Sequence, residues 1–247
     1  MRLRCLTCEV LARPVYGCAA VSPHAVDVEL LRRGLHDHPL DLRAQLQALI
    51  DATPPEKYDA VLLVYGLCGQ ATAGLRAGSV PLVIPKAHDC ITLFLGSRER
   101  YLDQFTANPG TYWYSADTVE RREVTASSLA MGSGIESDRQ AVYDAYVKKY
   151  GQDNADYLMQ VMGSWQQHYN RAVFIDLGVG DAQDAQEKVQ TEALQRGWTF
   201  ERMTGDLGLV RRLLEGAWAA SGDPDFLVVP PGKRVVMLAG EDVIGVE

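Results

Sequence analysis

Three cysteines hold the chemistry that this sequence offers most directly. Cys8 closes the apolar run LRCLTC, Cys68 closes VLLVYGLC, and Cys90 follows LVIPKAHDC. Thiolates are soft ligands, and three gathered at one place would bind zinc or an iron–sulfur cluster, whose positive charge in turn stabilises the deprotonated sulfurs. His88 is a further candidate ligand or a general base, and Glu9, beside Cys8, is a second acid–base candidate. Gly66 and Gly69 flank Leu67-Cys68, where glycine lets the backbone come close to a bound group. Lys86 is the cation nearest this set and a candidate for holding an anionic substrate. His36, in the turn His36-Asp37-His38, is another acid–base candidate, although adjacent polar residues in a turn are more often solvated.

The number of donors separates the metals. Three cysteines with a free fourth position suit a 4Fe–4S cluster, two cysteines with His or Glu suit an open catalytic zinc, and a closed set of three cysteines and a histidine would be structural. Packing competes with ligation, because cysteine is among the most buried residue types and behaves as a small hydrophobe. Cys18, on the apolar segment YGCAAV, reads as core. So does Cys5, since Cys5 and Cys8 lie three apart on a strand and face opposite sides. A third reading makes Cys90 a nucleophile with His88 as its base, two residues away and on the same side if the segment is extended.

The elements that must position these residues alternate in type. Residues 3–8 read as a strand and 9–20 as a helix. Extended runs follow at 26–31, 60–65 (AVLLVY) and 80–84, with an amphipathic helix from Asp41 to the stop at Pro54-Pro55. A helix over 90–105 and a short aromatic strand over 110–115 complete the first part. Residues 116–136, mixed and weakly periodic, read as a linker or flap, and 137–169 as two helices. Strands at 172–176, 198–203 and 226–229 then alternate with helices at 182–196 and 206–217. This pattern predicts an α/β fold of two Rossmann-like lobes with mainly parallel sheets flanked by helices, residues 1–130 and 131–247, the first carrying the Cys/His rim. Parallel sheets bind ligands at the carboxyl ends of their strands, which is where the three cysteines fall.

Composition limits the partners. The chain has 247 residues, is 47% hydrophobic and 23% charged, and has a formal net charge of −8 from 24 Lys and Arg against 32 Asp and Glu. Without a basic block, nucleic acid and anionic membrane are poor partners and a small-molecule substrate is favoured. The longest apolar stretch, about ten residues, is short of the ~18 that cross a bilayer, and no export signal opens the sequence. Five cysteines, an odd number, fit a reducing compartment, so the expected location is the cytoplasm. No Walker A, G-x-G-x-x-G after the first strand, or G-x-S-x-G pattern occurs.

The segments CEVL, YDAVLLVYGLCG, IPKAHDCITLFLGSRERY, NPGTYWYS, WTFERM, GDLGLVRRLLEGAW and DFLVVPPG resemble the bacterial and archaeal domain-of-unknown-function family 1638. The family pattern falls on Cys8, Glu9, His36, 65–69, 88–90, Gly96-Ser97, Tyr101 and 110–113, and leaves out Cys5 and Cys18. The chain departs from it after GTYWYS, with Ala116-Asp117-Thr118 where the family has a Gly-Trp step. Similar proteins tend to be encoded beside corrinoid-dependent methyltransferase systems. The resemblance therefore implies one-carbon metabolism, with a corrinoid as possible cofactor and a corrinoid protein or methyltransferase as possible partner. The expected activity is metal-dependent methyl transfer; the alternative is a non-catalytic accessory that delivers a corrinoid, its carrier or a metal.

Overall fold

The computed structural model describes every residue except 69, 122–142, 145–146, 149–150, 154, 157–168, 221 and 239–241, together with the side chains of 36, 37 and 220. The fold is mixed α/β, with parallel strands forming most of two sheets. β1 (Arg2–Cys8), β2 (Ala25–Leu31), β3 (Ala60–Val64) and β4 (Leu82–Pro85) lie in the order β2-β1-β3-β4, all parallel. β3 reads AVLLV because it is central: every residue is buried, and both faces are covered. The chain leaves β1 toward β2 on one side and then returns to place β3 on the other. The order therefore reverses between β1 and β3, the position at which a ligand crevice opens at the carboxyl ends of such a sheet.

The first part of the chain holds α1 (Ala12–Val21), entered through a 3-10 turn at Glu9–Leu11, then a second 3-10 turn at Arg33–Asp37 and α2 (Pro39–Asp51). α2 buries Leu42, Leu46 and Ile50, the spacing of one helical face. The helix expected over 90–105 is two, α3 (Cys90–Leu95) and α4 (Arg98–Ala107). Gly96 ends the first in the left-handed region at φ +70°, and the Ser97 side chain caps the second by accepting from the Arg100 N–H.

The second sheet has the order β5-β6-β7, from Thr111–Tyr114, Arg171–Asp176 and Thr199–Thr204, all parallel. Alternation on β6 divides its work: Val173 and Ile175 enter the core shared with the first sheet, while Ala172 and Phe174 pack with Ala185, Val189 and Ala193 of α6 (Gln183–Arg196). α5 (Ala116–Glu120) lies between β5 and β6 in sequence. After β7 come α7 (Gly208–Leu214), α8 (Ala217–Ala220), β8 (Phe226–Val229), and the antiparallel pair β9 (Val235–Met237) and β10 (Ile244–Val246). β8 returns to pair antiparallel with β4 at the edge of the first sheet.

A cut between 1–130 and 131–247 therefore does not separate the sheets. β5, from before it, belongs to the second sheet, and β8, from after it, to the first; residue 130 itself is outside the described residues. Most of the two helices expected over 137–169 also falls outside them. Among the described residues, no helix is long and apolar enough to cross a membrane.

The segment expected to begin a flap at 116 begins instead as α5, held by a Ser115–Thr118 capping box. Asp117, 2% exposed, anchors it: one oxygen accepts from the Arg13 backbone N–H at 3.0 Å, the other from the Arg13 guanidinium at 2.7 Å and Arg121 Nε at 3.1 Å. Asp117→Ala leaves the part-buried Arg13 N–H without its acceptor, whereas both guanidiniums keep contact with water. The expected loss is about 2 kcal/mol of unfolding free energy. It is read from the urea midpoint at unchanged denaturant slope.

Candidate functional site

Parallel pairing puts the ends of β1, β3 and β4 on one edge, and the three cysteines follow it. Cys8 is the last residue of β1, Cys68 lies in the loop after β3, and Cys90 opens α3 after β4. Two backbone features draw the last two loops together. Leu67 N–H donates to Ala87 O at 3.0 Å. A Cβ placed on Gly66 would stand 2.5 Å from Asp89 Cα, 2.6 Å from its N and 2.8 Å from its C, so only glycine allows this approach. Cys68 itself is held at φ +43° and Gln70 at φ +73°, left-handed conformations that disfavour side-chain-bearing residues and concentrate at functional loops.

Each sulfur lies within electrostatic reach of the other two. Burial pushes the Cys8 thiol up to about 11; Glu9 adds to the rise, while the Val10 N–H and the charges of Arg33 and Arg121 oppose it. Cys68 is pushed up to about 12 by burial first, then by the charges of Cys8 and Asp89. Cys90 is raised well above an ordinary thiol by burial, then by Asp89, Cys68 and Cys8, with Arg33 opposing. All three are reduced and packed against the same core cluster. Among the described residues, however, no group of three or more His, Cys, Asp or Glu side chains is placed to hold a metal ion. The sulfurs influence one another electrostatically without forming such a group.

Tyr65 adds what residue typing alone did not single out. Its side chain is 2% exposed, its hydroxyl finds no hydrogen-bond partner among the described residues, and burial followed by the charges of Cys8, Cys68 and Glu9 raises its pKa. A buried hydroxyl left unsatisfied costs about 1–3 kcal/mol, so a group from outside the chain that supplied the bond would be favoured here. Its position, directly after an all-apolar strand, was the available signal. Arg33 was also missed. It comes from the 3-10 turn after β2, its N–H donates to Glu9 Oε2 at 3.1 Å and its guanidinium to Thr118 O at 2.6 Å, and it is the cation that acts on Cys8 and Cys90.

The remaining candidates fall differently. Asp89 caps α3, accepting from the N–H groups of Ile91 at 2.9 Å and Thr92 at 3.3 Å and from the Tyr101 hydroxyl at 3.1 Å. Burial nevertheless raises its pKa. His88 is exposed and stacks on Tyr101 with ring centroids 5.9 Å apart. Cys90 begins a helix, so the extended geometry that would align His88 with it as a base is absent. Glu9 stays at the site through Arg33. Lys86 pairs with the exposed Asp242 at 2.8 Å. Gly69 and the His36 side chain lie outside the described residues. Cys5 is fully buried, and Cys18, 3% exposed, also joins the core.

Sheet order and the placement of the thiols define a mixed α/β protein with three cysteines at the carboxyl-end edge of a mainly parallel sheet. Residues 30–214 match the family described as "Protein of unknown function (DUF1638)", and the chain belongs to that family. Cys68 and Cys90 lie inside the matched stretch and Cys8 before it. No curated protein and no solved structure matches the chain.

Proposed function

We propose that this chain is a metal-centre protein in which Cys8, Cys68 and Cys90 would hold a thiophilic centre, zinc or a 4Fe–4S cluster, near the Tyr65 hydroxyl. What supports this reading is that three strand-end thiols lie within electrostatic reach of one another and of a buried hydroxyl without a hydrogen-bond partner among the described residues. Soft sulfur donors fit such a centre by their chemistry. When bound, zinc would act as a Lewis acid that activates an incoming thiol for methyl transfer, while a cluster would serve electron transfer or dehydration. The residues' own part is to bind through sulfur, to present Tyr65 as a donor, and to limit water through the core packed behind them. Methyl transfer is supported by the fit of a zinc–thiolate centre to that reaction, and the expected corrinoid partner by the family resemblance.

A nucleophilic cysteine has less support, since reactive thiols have depressed pKa values and burial moves these the other way.

Metal analysis of anaerobically purified protein tests the proposal. About one zinc per chain, or iron with absorbance near ~400 nm, is expected. Either should fall severalfold in Cys68→Ser and Cys90→Ser with the far-ultraviolet dichroism retained. Protein free of both metals that also takes up neither zinc nor a reconstituted cluster overturns it.

A further inference from the structure

A cavity of ≈ 620 Å³ opens at the carboxyl ends of β6 and β7, between their outgoing loops and α1, and belongs to none of the groups described above. Its volume suits a small metabolite. Arg100 of α4 and Arg211 of α7 line it, with Asp206 of the loop after β7 and Cys18 of α1.

The arginines distinguish this cavity. Nearby Arg13 is neutralised by Asp117 and Glu120, Arg202 by Asp176, and Arg212 by Asp223 and Asp225. Among the described residues neither Arg100 nor Arg211 has a carboxylate within salt-bridge distance. Arg100 donates to neutral carbonyls, Thr204 O at 2.6 Å and Leu95 O at 3.4 Å, which fix its guanidinium without cancelling its charge. Arg211 lies against the Cys18 sulfur. Asp206 is equally fixed: its N–H donates to Phe94 O at 2.9 Å, and its Oδ1 accepts from Gly208 N–H at 2.6 Å, while Oδ2 has no hydrogen-bond partner among the described residues. Gly96 secures the arrangement, since a Cβ there would stand 2.7 Å from Asp206 Cβ and from its backbone O.

Two guanidiniums without a salt-bridged carboxylate among the described residues, beside one carboxylate, suit a ligand with a multiply charged anionic end and a hydroxyl-bearing body. Guanidinium binds phosphate through paired charge-assisted hydrogen bonds, and a carboxylate accepts from a sugar hydroxyl. We propose that this cavity binds a phosphorylated sugar or nucleotide, with the phosphate on Arg100 and Arg211 and a hydroxyl on Asp206. The site is independent of the metal centre.

Calorimetric titration of the full chain with ribose 5-phosphate and with AMP tests this. At least one should bind with an affinity that falls as salt rises, while adenosine, lacking the phosphate, should not. Arg211→Met, at an exposed position, should weaken binding by about tenfold or more. Asp206→Asn should weaken binding of the sugar phosphate but not of inorganic phosphate. A measurement on the unaltered chain stands beside the variants: the bound ligand should protect Arg211 from phenylglyoxal, read by peptide mass. No saturation by either compound up to about 10 mM, a range spanning weak millimolar affinities, overturns the proposal, as does undiminished binding in Arg211→Met with Arg211 unprotected. Inorganic phosphate binding as tightly as both esters overturns the ligand class.

Discussion

Gly66→Ala should destabilise the protein by about 3 kcal/mol, the upper part of the usual range for forcing atoms into a packed region. The effect is purely steric, because Gly66 does not occupy the left-handed region and alanine could adopt its backbone angles. The added methyl meets three backbone atoms of Asp89, all under 3.0 Å, where no side-chain rotation can give relief. Asp89 cannot retreat easily either. Its carboxylate caps α3 and accepts from Tyr101, and the adjoining loops are joined through the Leu67–Ala87 hydrogen bond. The two loops must therefore part, and they carry Cys68 and Cys90. Urea unfolding should show a lower midpoint, and metal uptake should drop in the protein that remains folded. A change under about 0.5 kcal/mol, within the range of ordinary surface substitutions, would show that the close approach of these loops is not needed to hold Cys68 and Cys90 in place.

That contact shows where the sequence could be read and where it could not. AVLLV announces a central strand because continuous apolarity has one common explanation in an alternating α/β pattern, and Cys8, Cys68 and Cys90 could be assigned to strand ends by the same reasoning. Which strands are neighbours is a long-range property, and the β2-β1-β3-β4 order that seats Cys8 beside the reversal point has no local signature. The edge position of β8 is hidden for the same reason: FLVV looks like the start of another parallel unit, yet it pairs antiparallel with β4. Gly96-Ser97 was a readable stop inside 90–105, a glycine followed by a capping residue, but the apolar spacing of Ile91, Leu95, Leu102 and Phe105 continues across it. Leu102 and Phe105 prove exposed, so that continuity did not reflect a single buried face. Lys86 and Arg33 exchange roles for a tertiary reason. The cation closer in sequence is neutralised by Asp242 from the far end of the chain, and the more distant one is carried to the thiols by the turn after β2.

The largest effect of all is expected in the pH dependence of zinc affinity. In the metal-free chain the three thiols hold their protons at neutral pH: Cys8 is pushed up to about 11, Cys68 to about 12, and Cys90 lies higher than an ordinary thiol by a wide margin. The charged groups acting on them divide, Arg33 and Arg121 favouring thiolate, Glu9 and Asp89 opposing it, and burial decides the direction. A sulfur bonds zinc as thiolate, so each one engaged expels a proton, and affinity gains about one power of ten per pH unit for every proton released. Three sulfurs give about a thousandfold per pH unit, with tighter binding as pH rises. The slope should hold between about pH 6.5 and 8, below every raised thiol pKa, where all three protons are still in place before binding. Competition against a chromophoric chelator of known pH dependence measures it. In Cys90→Ser the slope should fall to about two, because one proton-releasing ligand is gone while Cys8 and Cys68 remain. A slope of one or less in the unaltered chain would mean that a single sulfur at most meets the metal, and the three-thiol centre would have to be abandoned even if the protein binds zinc.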